Sequence, residues 1–177
     1  MRNLLNGHSF FTLNDVVMGG RSSSSLSSLS DGSDGLSFTG TINTNGGGFA
    51  SCRTDKSVLP VVVPDEATTV ELEVKGDGKL YKFILNDGSR GGPRSSSPSF
   101  QHDVMTRGDW QVVQLPLRNF KPSFAGSSRP AAGALVSREM NTAGFMLSLK
   151  NAAGEPNPHF GQGVFDFEFQ VRSMVFR

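Results

Sequence analysis

The 177-residue sequence has one cysteine, one tryptophan, one tyrosine and a formal net charge of only +1. Cys52 alone cannot form an internal disulfide, and no Asn-x-Ser/Thr sequon occurs, so both features favour a reducing compartment. Acids and bases are mixed along the chain, which argues against a nucleic-acid-binding protein with a concentrated basic face. No apolar run approaches the roughly 18 residues of a membrane span. The start, MRNLLNGHSF, lacks the apolar core of a secretory signal, so we expect a cytosolic, organelle-encoded or already processed chain.

Signals for catalysis and for cofactors are also missing. Residues 19–22 (GGRS) lack the lysine and the upstream glycine of a phosphate-binding loop, and no Gly-x-Ser-x-Gly nucleophile motif occurs. His8, His102 and His159 are far apart in the sequence, without the ligand spacing of a zinc site. The sequence therefore predicts no enzyme, no metal and no cofactor. Four loop aspartates stay open as calcium ligands or as turn residues: Asp31, Asp34, Asp87 and Asp103.

The sequence shows little helical periodicity. Between the Gly/Ser/Pro-rich connections, apolar residues alternate with polar ones in almost every segment. Such a period of two is typical of strands with one buried face. The predicted inward residues are Leu36, Phe38 and Ile42; Val70, Leu72 and Val74; Tyr81, Phe83 and Leu85; Phe145, Leu147 and Leu149; and Phe165, Phe167, Phe169 and Val171. Several such strands predict an all-β sandwich, and no boundary interrupts the chain, so we expect one domain over residues 1–177.

The few special side chains leave a carbohydrate-binding module open as an alternative function. Trp110 and Tyr81 can stack on sugar rings if they are exposed, or pack in the core if they are not. Asp15 and Arg53 are the polar residues that would complete such a sugar site. Cys52 shares a strand face with Ala50, which favours a small core residue.

Two long polar loops interrupt the strands, over residues 86–99 and 121–141. Long loops on rigid β scaffolds often carry function. Arginine and aromatic side chains are the residues that contribute most to protein interfaces. The predicted protein-binding residues are therefore Arg90, Arg94, Phe100, Phe124 and Arg129.

Five blocks of the sequence resemble the complex I intermediate-associated protein family: NDVVMGGRSSS, FTGTINTNGGGFASCR, VKGDGKLYKF, GDWQVVQLPLRNF and the closing GVFDFEFQVRSM. The resemblance covers nearly the whole chain. It implies a jelly-roll sandwich of the galactose-binding-like type, without a settled catalytic activity. It also implies an assembly factor or chaperone whose partners are protein subunits of a large complex. The expected location is then the mitochondrial matrix or chloroplast stroma, or the cytoplasm of a bacterium.

The chain departs from the family pattern at two places. Ala125-Gly126 stands where the family often has an arginine before the glycine, and the Ser/Arg-rich loop of residues 86–99 looks specific to this chain. These departures leave the partner complex open. A permanent linker or accessory subunit of a respiratory or photosynthetic complex is the second interpretation.

The stretch NDVVMGGRSSSS, residues 14–25, is predicted to form a structural corner, with ligand binding as the alternative. We expect Val16 and Met18 to pack inward. Gly19 and Gly20 are expected to let the chain turn closely, at positive φ. Asp15 and Arg21 are expected to hold the corner through hydrogen bonds or an ion pair.

Overall fold

The computed structural model describes residues 3–88 and 97–177, and it forms twelve strands there, most of the longer ones from alternating apolar and polar residues. The strands are β1 (Phe10–Asn14), β2 (Ser23–Ser27), β3 (Leu36–Asn43), β4 (Phe49–Thr54), β5 (Thr69–Gly76), β6 (Leu80–Asn86), β7 (Ser99–Met105), β8 (Gln111–Pro116), β9 (Lys121–Phe124), β10 (Ser127–Ser128), β11 (Thr142–Ser148) and β12 (Val164–Phe176). Helical structure in these ranges consists of short 3-10 turns at Asp15–Met18, Leu117–Asn119, Pro130–Ala132 and Ser137–Glu139. None of the described helical segments is long and apolar enough to cross a bilayer.

The strands form two antiparallel sheets that pack face to face. One sheet has seven strands in the order β1-β4-β11-β6-β7-β9-β10, and the other has five in the order β2-β3-β12-β5-β8. The chain alternates between the sheets, because strands that follow each other in sequence often lie in different layers. This architecture confirms the predicted all-β sandwich.

Aromatic rings from both sheets meet in the middle of the sandwich. Phe169 of β12 packs against Tyr81 of β6 and Phe145 of β11, with ring centroids 4.8 and 4.7 Å apart. Phe167 of β12 packs against Phe38 of β3 at 5.0 Å. Each fully buried side chain of this size contributes roughly 1.5–3 kcal/mol of hydrophobic stabilisation. The predicted period-two residues thus form the core or, at Leu36 and Phe165, pack against it. Only Leu149 departs from the prediction, since β11 ends at Ser148 and leaves Leu149 49% exposed.

β12 contains a bulge that the sequence pattern did not predict. Its register against β5 shifts between Val171 and Ser173, so Arg172 is an extra residue in the strand. Inward positions before the bulge include Phe169 and Val171, and after it they are Met174 and Phe176. A bulge inserts one residue and therefore exchanges which positions face the core.

Neighbouring strands run antiparallel, so that the connections collect at the two ends of the sandwich. One end, which we call the corner end, carries residues 15–22, 44–48 and 149–163. The opposite end carries residues 55–68, where Val58 and Val62 are 61% and 71% exposed.

Candidate functional site

The corner end is organised by the carboxylate of Asp15, the first residue of the 3-10 turn that follows β1. Asp15 is 1% exposed. Its Oδ1 accepts a hydrogen bond from the backbone N–H of Ser22 at 2.9 Å, and its Oδ2 accepts from the hydroxyl of Ser22 at 2.6 Å. Oδ2 also accepts from the backbone N–H of Gly48 at 2.7 Å and of Phe49 at 3.4 Å. One buried carboxylate therefore joins the turn after β1, the start of β2 and the loop before β4.

Two glycines leave the space that this carboxylate occupies. A Cβ atom at Gly20 or at Gly47 would overlap the carboxyl group of Asp15. Gly19 has a φ of 86°, and its N–H closes the turn onto the carbonyl oxygen of Val16 at 3.1 Å. The predicted tight turn is confirmed, although the positive φ belongs to Gly19 and not to Gly20.

The apolar residues of the turn point outward, which contradicts the prediction that Val16 and Met18 pack inward. Val16, Val17 and Met18 are 61%, 66% and 73% exposed. Since Asp15 and its hydrogen bonds fill the inner side of the turn, the three side chains that follow it project beyond the ends of the strands.

A fourth apolar residue lies at the same corner. Leu149 rests on Gly48, where a Cβ atom would come within 2.7 Å of the Leu149 Cγ. The N–H of Leu149 donates to the carbonyl oxygen of Gly48 at 3.1 Å. We call Val16, Val17, Met18 and Leu149 the corner patch. Sequence reasoning missed it, because alternation assigns Leu149 to the core and gives no direction to turn residues.

Arg21 does not pair with Asp15, contrary to the predicted ion pair. Among the described residues, no ion pair involves either of them, and Arg21 is exposed beside the corner patch. Backbone amides and the Ser22 hydroxyl supply all the donors that the Asp15 carboxylate uses. Arg21 is therefore exposed to solvent, where a partner can reach it.

The predicted protein-binding residues have different environments. Phe100 is 5% exposed and belongs to the core, so that its prediction as a surface contact was wrong. The guanidinium of Arg129 stacks over the ring of Phe124 at 4.8 Å, beside the β9–β10 hairpin. Arg90 and Arg94 lie outside the described residues. Phe124 and Arg129 therefore contact each other, and their role in protein binding stays a prediction.

The four residues of the predicted sugar site do not come together. Tyr81 is 0% exposed, and its hydroxyl donates to Asp77 Oδ1 at 3.0 Å, while burial raises the pKa of the phenol. Trp110 lies on the outer face of the five-stranded sheet, where the Arg172 guanidinium stacks on it at 3.9 Å. Arg53 lies on the outer face of the other sheet, and Asp15 is buried in the corner. No single sugar platform joins them.

Cys52 and Asp31, two further residues considered for chemical roles, are held by packing or by hydrogen bonds within the fold. Cys52 is fully buried beside Ala50, as predicted, and burial raises the pKa of its thiol to about 12. Asp31 accepts hydrogen bonds from Ser33, and its carboxylate lies 2.6 Å from a guanidinium nitrogen of Arg172. Over residues 3–88 and 97–177, no group of three or more histidine, cysteine, aspartate or glutamate side chains is arranged to hold a metal ion.

The sandwich is similar to solved carbohydrate-binding modules. A family 11 carbohydrate-binding module from Clostridium thermocellum, in complex with a β-1,3-1,4-mixed-linked tetrasaccharide, superposes with a TM-score of 0.56 at 12% identity. That match covers 100% of this chain and 96% of the module. The family 11 module of the cellulosomal cellulase Lic26A-Cel5E of Clostridium thermocellum gives 0.54 at 13% identity, covering 98% and 89%. At such identities the similarity shows the fold alone.

Sequence comparison gives the relationship that the fold alone does not. No curated protein matches the chain significantly. The model of one protein family, described as complex I intermediate-associated protein 30 (CIA30), matches residues 5–171, which is almost the whole sequence. The matched span includes the buried aspartate, the corner patch and both sheets up to residue 171 of β12. The chain therefore belongs to the complex I intermediate-associated protein 30 family.

Proposed function

We propose that the protein is a non-catalytic, protein-binding domain that assists assembly of a large respiratory or photosynthetic complex, or is an accessory subunit of one. Family membership over residues 5–171 supports a partner of the complex I kind. The observation that carries the proposal is the corner patch, because three consecutive apolar residues are exposed on a turn that a buried carboxylate holds in place.

The physical chemistry of the corner patch suits a protein interface. Scattered apolar side chains are normal on protein surfaces, whereas large contiguous apolar patches mark interaction sites. Val16, Val17 and Met18 are each more than half exposed, and Leu149 is close to half exposed. Burying each of Val16, Val17 and Met18 would contribute roughly 1.5–3 kcal/mol before the entropy of association is subtracted. Since Asp15 already orders the turn, its backbone loses little freedom on binding. Methionine adds a flexible contact that adapts to the partner surface.

The proposal extends to the edges of the interface and to the compartment. Arg21 lies beside the corner patch and can pair with an acidic group of the partner, while Arg90, Arg94, Phe124 and Arg129 stay predicted contacts of a second region.

The proposed location is the mitochondrial matrix or chloroplast stroma, or the cytoplasm if the protein is bacterial. Fractionation of source cells, with organelle-resident marker proteins, tests the location independently.

The decisive experiment compares two double variants that remove the same kind of side chain at opposite ends of the sandwich. Val17→Ser/Met18→Ser removes the centre of the corner patch, and Val58→Ser/Val62→Ser is the matched control. Both should fold with unchanged Tm, because all four side chains are more than half exposed. We expect the first variant to lose co-migration with its complex on a native gel and the control to retain it.

The opposite pattern would overturn the proposal. Retained co-migration of the corner variant, with a normal melting curve, would exclude the corner patch as the binding surface. Failure of the wild type to co-migrate with any respiratory or photosynthetic complex, in extracts of its source, would contradict the assembly function itself.

A further inference from the structure

The outer face of the seven-stranded sheet carries a row of residues that the proposed protein-binding function does not use. Strand register places Arg53 of β4 opposite Gly144 of β11, Gly144 opposite Ile84 of β6, and Ile84 opposite Gln101 of β7. Their sequence neighbours Cys52, Phe145, Phe83 and Phe100 face the core, so the row faces away from it. With strands about 4.8 Å apart, the backbones of Arg53 and Gln101 are about 14 Å apart.

The side chain of Arg53 lies across β11 in this row. A Cβ atom at Gly144 would come within 3.0 Å of Arg53 Cγ, so the absence of a side chain there makes room for the arginine stem. The Arg53 Nε is buried and has no hydrogen-bond partner among the described residues. Desolvation lowers the pKa of this guanidinium. Arg53 is thus a half-buried cation whose Nε–H is shielded from solvent and has no acceptor among the described residues.

No carboxylate within the described residues forms an ion pair with Arg53. All 16 acidic residues lie within residues 3–88 and 97–177, and none of the ion pairs there includes Arg53. A desolvated cation is unfavourable unless an anion and hydrogen bonds compensate it. An external anion is the partner that this guanidinium lacks, and planar carboxylates and phosphates fit its fork of donors.

The opposite end of the row lacks a donor. Gln101 is 4% exposed, and its Nε2 donates to the hydroxyl of Ser99 at 2.9 Å, which fixes the amide. The Gln101 Oε1 is buried and has no partner among the described residues. A hydroxyl group is the simplest ligand atom that donates to such an oxygen.

A second cation adjoins the row. Lys82 lies two residues before Ile84 on β6, is 3% exposed and pairs in register with Asp103 of β7. Burying Lys82, the Arg53 Nε and the Gln101 Oε1 costs stability in the unliganded protein. Residues that lower stability in this way are typical of binding sites.

We propose that Arg53 and Gln101 are the two ends of a binding site, on the outer face of the seven-stranded sheet, for a small hydroxylated anion such as a sugar acid or a sugar phosphate. Arg53 pairs with the anionic group and Gln101 Oε1 accepts from a hydroxyl, while register places Gly144 and the buried Ile84 between them. This site is separate from the corner patch.

The test is calorimetric titration of the full-length wild type with D-glucuronate, D-glucose 6-phosphate, inorganic phosphate and neutral D-glucose. We expect saturable binding of glucuronate or glucose 6-phosphate, at least ten-fold tighter than glucose or phosphate alone, and weaker binding at higher salt. The tighter of the two ligands identifies the anionic group. Arg53→Met, which keeps the stem, should weaken binding at least ten-fold, and Gln101→Met should also weaken it. Arg138→Met, at an exposed residue of the Ser137–Glu139 turn, is the matched control and should bind as the wild type does.

Three outcomes would overturn the proposal. They are no binding of either hydroxylated anion, binding equal to that of inorganic phosphate, and binding unchanged by Arg53→Met. If Arg53→Met fails to fold, the Nε–H NMR signal of Arg53 in the wild type answers the same question. Its shift on adding the ligand supports the site, and its constancy during saturable binding refutes it.

Discussion

Gly20 lies directly against the side chain of Asp15, so that a Cβ atom at position 20 would overlap the carboxyl group and stand 2.7 Å from Asp15 Cβ. The corner accepts no side chain at this position, since the carboxylate cannot move without breaking its bonds to Ser22 and Gly48. This close approach, rather than a positive φ, is the reason that residue 20 is glycine.

Gly20→Ala should therefore lower the free energy of unfolding by about 2–4 kcal/mol, because overpacking a buried polar network both strains it and breaks hydrogen bonds. Gly108→Ala is the control: no atom lies within 4 Å of its added Cβ, and no positive φ opposes it. Urea denaturation of both variants measures the difference. Equal stabilities would mean that the Asp15 corner yields easily and is not rigid.

Lys82 gives a prediction about pH. Burial, partly opposed by Asp103, lowers the pKa of Lys82 to about 8 from 10.5. Between these values the unfolded chain binds more protons than the folded one, so the Lys82 contribution makes stability rise with pH from about 8 to 10.5. Below pH 8 the whole penalty is present, on the order of 3 kcal/mol.

Lys82→Met should thus stabilise the protein at pH 7, by up to that order, and the gain should shrink towards pH 10.5. Lys121→Met, at an exposed position, is the control: it removes a lysine that is not buried, so its effect on stability should be small at both pH values. Urea denaturation at the two pH values provides the measurement. A gain of the same size at both pH values would contradict a depressed lysine pKa.

Cys52 should report unfolding through its reactivity. It is 0% exposed, and burial raises the thiol pKa to about 12, so almost no thiolate is present at pH 8. Labelling with a chromogenic disulfide reagent should be slow in buffer and become rapid across the urea transition followed by Trp110 fluorescence. Labelling in buffer at the rate of a free cysteine would show that the sandwich opens locally around β4.

The β9–β10 hairpin has a residue that its turn disfavours. Ala125 and Gly126 join Phe124 to Ser127 with φ values of 48° and 78°, which is the pattern of a type I′ turn. Asparagine tolerates this left-handed conformation better than alanine does. Ala125→Asn should raise the free energy of unfolding by about 0.5–1 kcal/mol, whereas Ala134→Asn, which has no positive φ, should not. A destabilised Ala125→Asn variant would mean that Ala125 makes contacts beyond its turn.

Much of the architecture could be predicted because strand direction is a local property. The alternation of Phe165, Phe167, Phe169 and Val171 placed three of these side chains in the core and the fourth against it. Among the predicted inward residues the alternation failed at Leu149, after the end of β11, and it could not be extended past the bulge at Arg172, beyond which Met174 and Phe176 face the core. A strand ends at the first position and gains a residue at the second, and the alternation of apolar and polar residues carries no signal for either event.

The sequence by itself determined the fold class and the core faces of the strands, because hydrophobic periodicity and turn chemistry act over a few residues. The resemblance of its sequence blocks indicated the family. Tertiary structure alone decided what the polar and loop residues do. Asp15 turned inward because amides of a distant loop reached its carboxylate, and Val16 and Met18 turned outward as a result. Arg53 and Gln101 share a row only because β4, β11, β6 and β7 are neighbours in the sheet. Such pairings depend on contacts between residues far apart in the chain, and these contacts form only when the whole sandwich closes.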